Sequence, residues 1–248
     1  MSLNEYFNQV KEEALEGFKK LNDTDKVEQK KWDGPLGNWD IHVVRGKVFE
    51  KATVARITIE TKHPDTGEDA VFDTLQAKVF PVSPRLPILI FNFEHMAAKE
   101  NRFLGMLDVA PVIAVEEDLQ LLRTGMKSIT EKHGENYEAL SNQMAHIYKL
   151  DQWEKPLNGG IGISLLLPDK QSDLVKEAGF HLLRSYLAIV EKRKQEPYSE
   201  EDIALRDSAW TRMLEYYFLG DQSFIVAVQQ GAPLEALTLT FLHPAARY

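Results

Sequence analysis

The sequence predicts an α+β fold built on a largely antiparallel β-sheet. Strand-like segments fill the first half of the chain, helical segments fill the middle, and two short apolar segments close it. The strand–helix alternation of a doubly wound parallel sheet is missing, and no GxGxxG motif joins a strand to a helix. Since the 248 residues contain no repeat or linker, we expect one domain over residues 1–248, beginning with a helix and loop over residues 1–31.

The first predicted element is an amphipathic helix. Apolar residues recur at steps of three and four over residues 3–21 and therefore line one helix face. The polar stretch 22–31 is expected to be a loop. Turn-forming residues at 34–38 then introduce the strands.

The predicted strands share β-branched and aromatic residues, in places alternating with polar ones. They cover residues 39–44, 48–49 with 54–61, 75–80, 88–95 and 103–109. Residues 63–67 form a turn by composition.

The second half is predicted to be mainly helical. Helices are expected over residues 115–131, 137–150, 174–194 and from Ser199 to about 219. Ser199 and Asp202 resemble a capping box at the start of the last of these. Short strands are expected over 161–167, 224–228 and 236–242, with a turn at 231–233 between the last two.

Composition excludes several function classes. The chain has 29 basic and 38 acidic residues, and its net charge of −9 argues against nucleic acid as a partner. It has no cysteine, which excludes disulfides, a thiol nucleophile and cysteine-ligated metals. The seven histidines lack the spacing of a metal site. No apolar run is long enough to span a membrane and no signal-peptide core is present, so we expect a cytoplasmic protein.

The hairpin over residues 86–111 carries the main candidate residue. With Lys99 near the turn centre, antiparallel pairing places Asp108 opposite Ile90. Strand alternation then divides the hairpin into two faces. One face carries Asp108 with Asn92, Glu94, Leu104 and Met106, whereas the other is purely apolar.

Two interpretations of Asp108 remain open. The mixed face is either exposed to solvent or the wall of a pocket, where partial desolvation would raise the pKa of Asp108 and suit it to proton transfer. Alternatively, a helix covers this face and Asp108 caps a turn before Pro111.

Several segments resemble one protein family. Residues 46–52, GKVFEKA, are similar to the VFEKAGV signature of oxygen-dependent coproporphyrinogen III oxidases. Further segments follow in the family's order: residues 108–111 resemble its DLTP segment, 117–118 its downstream ED, 132–134 its CDxHG turn, 160–162 its RGIGG loop, and 186–194 its YLPIVERRK segment. Residues 214–216 with Gly231 and Glu235 are similar to VEFN and GGRTES, and Arg247 lies near the family's WEY end.

The resemblance implies an α/β/α sandwich, a central antiparallel sheet with helices on both faces. It implies an oxidoreductase that removes two propionate carboxyl groups from a reduced tetrapyrrole, with oxygen as co-substrate and no metal or organic cofactor. Asp108 is the implied catalytic residue, holding pyrrole N–H groups or relaying a proton. Asn92 and Arg212 are implied to orient the substrate, with Gly160 in the glycine loop and Glu94 and His95 at the rim. A homodimer is also implied.

This chain departs from the family at positions expected to touch substrate. Ile90 stands where the family has histidine, and the family's arginines are replaced by Glu94, Gly159, Gln222 and Pro233. Arginines pair with carboxylates through two parallel hydrogen bonds, whereas a glutamate repels them. We therefore expect a divergent member of the family.

Two alternatives differ in class from an oxidase. The segments 86–88 and 107–111 also resemble the LPIFG and DLSP hairpin of ferredoxin-dependent bilin reductases, which would imply ferredoxin as the electron donor to a linear tetrapyrrole. The acidic composition counts against docking of acidic ferredoxin. The other alternative is a tetrapyrrole-binding protein without catalytic activity.

Overall fold

The computed structural model describes residues 1–34, 36–62, 67–157 and 160–244. One antiparallel sheet runs in the order β1-β2-β3-β4-β5-β6-β7, and β8 pairs with β6 beside β7. The strands are β1 (Glu28–Gly34), β2 (Gly37–Val44), β3 (Phe49–Lys62), β4 (Asp69–Pro81), β5 (Ile88–Ala97), β6 (Arg102–Ala110), β7 (Ile163–Ser164) and β8 (Leu167–Pro168).

Helices cover both faces of this sheet, which confirms the predicted α+β sandwich. They are α1 (Leu3–Asn22), α2 (Glu116–Lys132), α3 (Tyr137–Ile147), α4 (Ser172–Arg193), α5 (Glu200–Leu219), α6 (Gln222–Gln229) and α7 (Leu234–Thr240). One apolar core lies between the sheet and α1, α2 and α4, and a second lies between the sheet and α5, α6 and α7. Helix α3 lies beside β7 and contributes side chains to both cores.

Local sequence signals correctly predicted several elements. Helix α1 covers the predicted residues, and α5 begins with the predicted capping box between Ser199 and Asp202. In the β5–β6 hairpin Ile90 pairs with Asp108, which confirms the predicted register. The purely apolar hairpin face lies in the first core, as alternation requires.

The polar stretch 22–31 was predicted to be a loop, but β1 begins within it at Glu28. Its side chains are mostly exposed, because an edge strand needs only backbone pairing with β2 and no apolar face. The single strand predicted over 161–167 is instead two strands of two residues each, β7 and β8.

The predicted strands at 224–228 and 236–242 are wrong, since these segments form α6 and α7. The Asp221 side chain accepts a hydrogen bond from the backbone N–H of Phe224 and so caps α6. In α7 the buried side chains include Ala236, Leu237 and Thr240, whose spacing fits one helix face. The connection at 231–233 is confirmed, with Gly231 at a φ of +78°.

Some predicted features lie outside the described residues. These are Pro35, residues 63–66 of the predicted turn, Gly159 and Arg247. Within the described parts of the chain, no helix has the length and apolarity that crossing a membrane requires.

Lys51, within the signature-like segment of β3, anchors the last helix. Its ammonium group is buried and donates hydrogen bonds to the backbone oxygens of Thr238 and Leu239, each at 3.0 Å, and to that of Leu242. These carbonyl groups lie at the end of α7, where a helix leaves its last oxygens without internal partners. Lys51 therefore ties the C-terminal helix to the middle of the sheet.

We expect Lys51→Met to lower the free energy of unfolding by about 2–4 kcal/mol, because it leaves buried carbonyl oxygens without donors. Urea denaturation followed by circular dichroism measures the change. Lys47→Met, at an exposed position four residues earlier, is the control and should have little effect. Equal stability of the two variants would show that Lys51 does not anchor α7.

Candidate functional site

The sheet face that packs against α5, α6 and α7, which together form the second helical layer, carries a group of buried and partly buried polar side chains. We call this group the polar patch; its members are Thr74, Gln76, Lys78, Asn92, Glu94 and Asp108. They lie on one face because β4, β5 and β6 are in register and side chains alternate along each strand. Across the strands Lys78 aligns with Ile90 and Asp108, and Gln76 aligns with Asn92.

Residues of the second helical layer cover the patch. The Lys78 ammonium donates a hydrogen bond to the Tyr217 hydroxyl on α5 and lies 4.3 Å from the centre of the Tyr217 ring. Asp221, in the connection between α5 and α6, is close enough for its charge to act on Lys78 and Glu94. Asn92, Glu94 and Asp221 are partly exposed, whereas Lys78 is buried. Solvent therefore reaches one side of the patch, whereas its other members, Thr74, Gln76, Lys78 and Asp108, are buried.

Burial shifts the titration of the charged groups in this region. It raises the pKa of Glu94, although a hydrogen bond from Thr74 at 3.0 Å opposes the shift and the Asp221 charge adds to it. Burial likewise raises the pKa of Asp221 and lowers the pKa of Lys78 to about 8. Such groups exchange protons closer to neutral pH than free carboxyl and amino groups do.

Asp108 is fully buried and binds backbone. Its Oδ1 accepts hydrogen bonds from the N–H of Val109 at 2.8 Å and from the N–H of Gly162 at 2.7 Å. Gly162 permits this approach, since a Cβ there would lie 1.7 Å from the Leu107 oxygen. The carboxyl group therefore joins β6 to the glycine loop.

Helix α3 holds the same glycine loop from the other side. The Tyr137 hydroxyl donates to the Ile161 oxygen at 2.7 Å, and the Ser141 hydroxyl donates to the Gly160 oxygen. Gly160 has a φ of +63°, and a Cβ there would lie 2.5 Å from the backbone oxygen of Ser141. Gly160 therefore shapes a loop that Asp108 and α3 fix in place.

The structure brings together three of the six predicted site residues, Asn92, Glu94 and Asp108. His95 lies on the opposite sheet face, where its Nε2 is 2.9 Å from Asp169. Arg212 lies on α5, where its guanidinium stacks over Trp153 and donates to the backbone oxygen of residue 155. Neither of these two side chains contacts the polar patch in those arrangements.

The sequence analysis missed Lys78, Tyr217 and Asp221. Alternation in β4 contained a signal for Lys78, because Thr74, Gln76 and Lys78 are polar at every second position of a buried strand. The resemblance contained one for Asp221, which directly precedes Gln222, one of the positions where this chain lacks an arginine of the family pattern. Tyr217 left no local signal because only tertiary packing places it beside Lys78.

Two other family-like segments form an ion-pair network away from the patch. Arg193 near the end of α4 pairs with Asp118 of α2 through Nε at 2.9 Å and Nη2 at 3.1 Å. Lys192 pairs with Glu117 at 2.7 Å. The ED and YLPIVERRK resemblances therefore correspond to the junction of α2 and α4.

Comparison with known proteins agrees with this arrangement of segments. The family model described as coproporphyrinogen III oxidase matches residues 2–248. The chain is similar to an oxygen-dependent coproporphyrinogen-III oxidase of Francisella philomiragia, with 25% identity over 224 positions covering 82% of this chain and 72% of that protein. It is also similar to one of Coxiella burnetii, with 22% identity over 261 positions covering 95% and 83%. The chain thus belongs to the coproporphyrinogen III oxidase family.

Proposed function

We propose that this protein is an oxidoreductase that binds a tetrapyrrole against the polar patch. The proposal depends mainly on one observation, a pair of partly exposed carboxyl groups, Glu94 and Asp221. They lie beside the buried Lys78 in a chain of this family. Pyrrole N–H groups are hydrogen-bond donors, and carboxyl groups are the acceptors that match them. Groups with such shifted pKa values are suited to proton transfer during oxidation of the macrocycle.

Three patch residues and the neighbouring Asp221 receive roles in this proposal. Asp221 and Glu94 contact the pyrrole nitrogens or exchange a proton with the substrate, and the Asn92 amide orients it. Asp108 acts as a positioning residue, because its Oδ1 already binds two backbone N–H groups. His95 and Arg212 lie away from the patch and receive no contact with the reacting part of the substrate.

Oxygen is the proposed oxidant, with no metal or organic cofactor, as the family resemblance implies. Oxidative decarboxylation of propionate side chains is the proposed reaction. Glu94 replaces an arginine of the family pattern, so this chain would hold the substrate carboxylates differently from its relatives. A homodimer and a cytoplasmic location stay predictions from the sequence.

The direct test is anaerobic incubation with coproporphyrinogen III, followed by addition of oxygen. Wild-type protein should release carbon dioxide and form protoporphyrinogen, detected by fluorescence after oxidation to the porphyrin. Binding of porphyrin without turnover would instead indicate a tetrapyrrole-binding protein. Reduction of bound biliverdin on addition of ferredoxin would indicate a bilin reductase.

Asp221→Asn should lower turnover by about 100-fold, because an amide keeps the cap on α6 but cannot transfer a proton. Turnover is measured in the assay above. Asp25→Asn, at an exposed position after α1, is the matched control. Wild-type turnover in the Asp221 variant would remove this residue from the proposed site.

Two substitutions of Asp108 separate positioning from proton transfer. Asp108→Asn retains an oxygen that accepts the two backbone N–H groups, so turnover should stay within about threefold of wild type. Asp108→Ala should lower the free energy of unfolding by about 1–3 kcal/mol, because the N–H of Gly162 loses its partner. Thermal unfolding and turnover of both variants give the answer. Loss of turnover in a stable Asn variant would mean that the Asp108 carboxyl itself carries the proton.

A further inference from the structure

Lys78 is a buried cation whose protein partners do not neutralise it. Its side chain is 3% exposed and donates one hydrogen bond, to the Tyr217 hydroxyl. The rings of Tyr217 and Phe241 lie 4.3 and 5.2 Å from its Nζ. Across the described ranges, no carboxylate oxygen lies within the 4.0 Å of an ion pair with this nitrogen. Buried charges are normally paired, so an ammonium with three donors and one acceptor lacks a counter-ion.

The charged groups around Lys78 come from several elements. Asp221, between α5 and α6, favours the charged lysine, and the charge of Lys78 is close enough to Lys51 on β3 to lower the pKa of Lys51. Glu94 on β5 and Asp108 on β6 lie on the same sheet face. None of these groups replaces a counter-ion in direct contact with the ammonium.

The partly exposed side of the patch is the side from which a ligand would reach this ammonium. Asn92 lies two residues beyond Ile90, the residue that pairs with Lys78 across β4 and β5. Asn92, Glu94 and Asp221 are partly exposed, and the Asp221 charge acts on both Glu94 and Lys78, so these three residues mark the side of the patch that solvent reaches. The second helical layer closes the remaining side through Tyr217.

We propose that Lys78 binds one side-chain carboxylate of the tetrapyrrole and serves as the carboxylate anchor of this site. This inference rests on the proposed function and adds the residue that holds one ionised acid side chain of the tetrapyrrole at the edge that enters the patch. Glu94 and Asp221 disfavour a second carboxylate at the same place, since like charges repel. Lys78 thus supplies a positive charge in a chain where Glu94, Gln222 and Pro233 replace arginines of the family pattern.

The test compares two proteins with two ligands, so that the lysine and the carboxyl groups of the ligand are changed separately. Affinities of wild type and Lys78→Gln are measured by fluorescence for coproporphyrin III and for its tetra-amide. We expect the preference for the acid over the amide to fall by about tenfold in the variant, as for a lost hydrogen bond between charged groups. Lys47→Gln, at an exposed lysine, is the control and should keep the wild-type preference. General loss of structure would weaken the binding of both ligands equally and would leave the preference for the acid over the amide unchanged.

The pH dependence of binding gives a second readout. The lysine must be protonated to hold a carboxylate, and its pKa in the free protein is lowered to about 8. Wild-type affinity for coproporphyrin III should therefore fall as the pH rises above about 8, and this alkaline decrease should be missing in Lys78→Gln. The carboxyl groups of Glu94 and Asp221 should still affect the acidic side of both profiles.

The outcomes distinguish the inference from the function on which it rests. If coproporphyrin III binds wild type but the acid preference and alkaline decrease persist in Lys78→Gln, the anchor is refuted and the proposed function stands. If neither ligand binds wild type, the Lys78 anchor and the proposed function are both refuted. A reduced preference for the acid together with a lost alkaline decrease in Lys78→Gln supports the anchor and the proposed function.

Discussion

The alternation of side chains in one antiparallel sheet is the constraint on which this structure depends. Pairing of β4, β5 and β6 places three polar residues of β4 beside two of β5 and one of β6. They lie on the sheet face that the second helical layer covers. Burying such groups opposes folding unless each finds a partner. The structure supplies partners to Glu94 through Thr74, to Lys78 through Tyr217 and to Asp108 through Gly162. The second helical layer is therefore both the cover of the patch and part of its hydrogen-bonding system.

Local sequence pattern and pairing geometry correctly predicted the strands from β2 to β6. They wrongly predicted two further strands near the C-terminus, where the chain forms α6 and α7. The β5–β6 register followed from the centre of a short turn, because antiparallel pairing fixes every opposite pair once one is known. Residues 224–228 contain isoleucine and two valines, which favour strands in isolation. The side-chain cap from Asp221 and packing against the second core outweighed that preference. Short apolar segments do not reveal such tertiary context.

Side-chain periodicity could predict the candidate site only where the site depends on the sheet. Asn92, Glu94 and Asp108 follow from alternation along one hairpin. The same alternation separates Glu94 from His95, since adjacent residues of a strand point to opposite faces. Tyr217 and Asp221 come from helical segments more than a hundred residues later, and the orientation of α5 and α6 decides their position. No local periodicity contains that information.

Segments that resemble the family and positions that depart from it have different places in the structure. Lys51 anchors α7, Asp118 joins α2 to α4, and Asp108 fixes the glycine loop; all three lie in family-like segments. Of the departures, Ile90 and Glu94 lie on the patch face, and Gln222 begins α6 directly after Asp221. The three family-like residues therefore connect elements of the fold, whereas Ile90 and Glu94 contribute to the face that carries the polar patch.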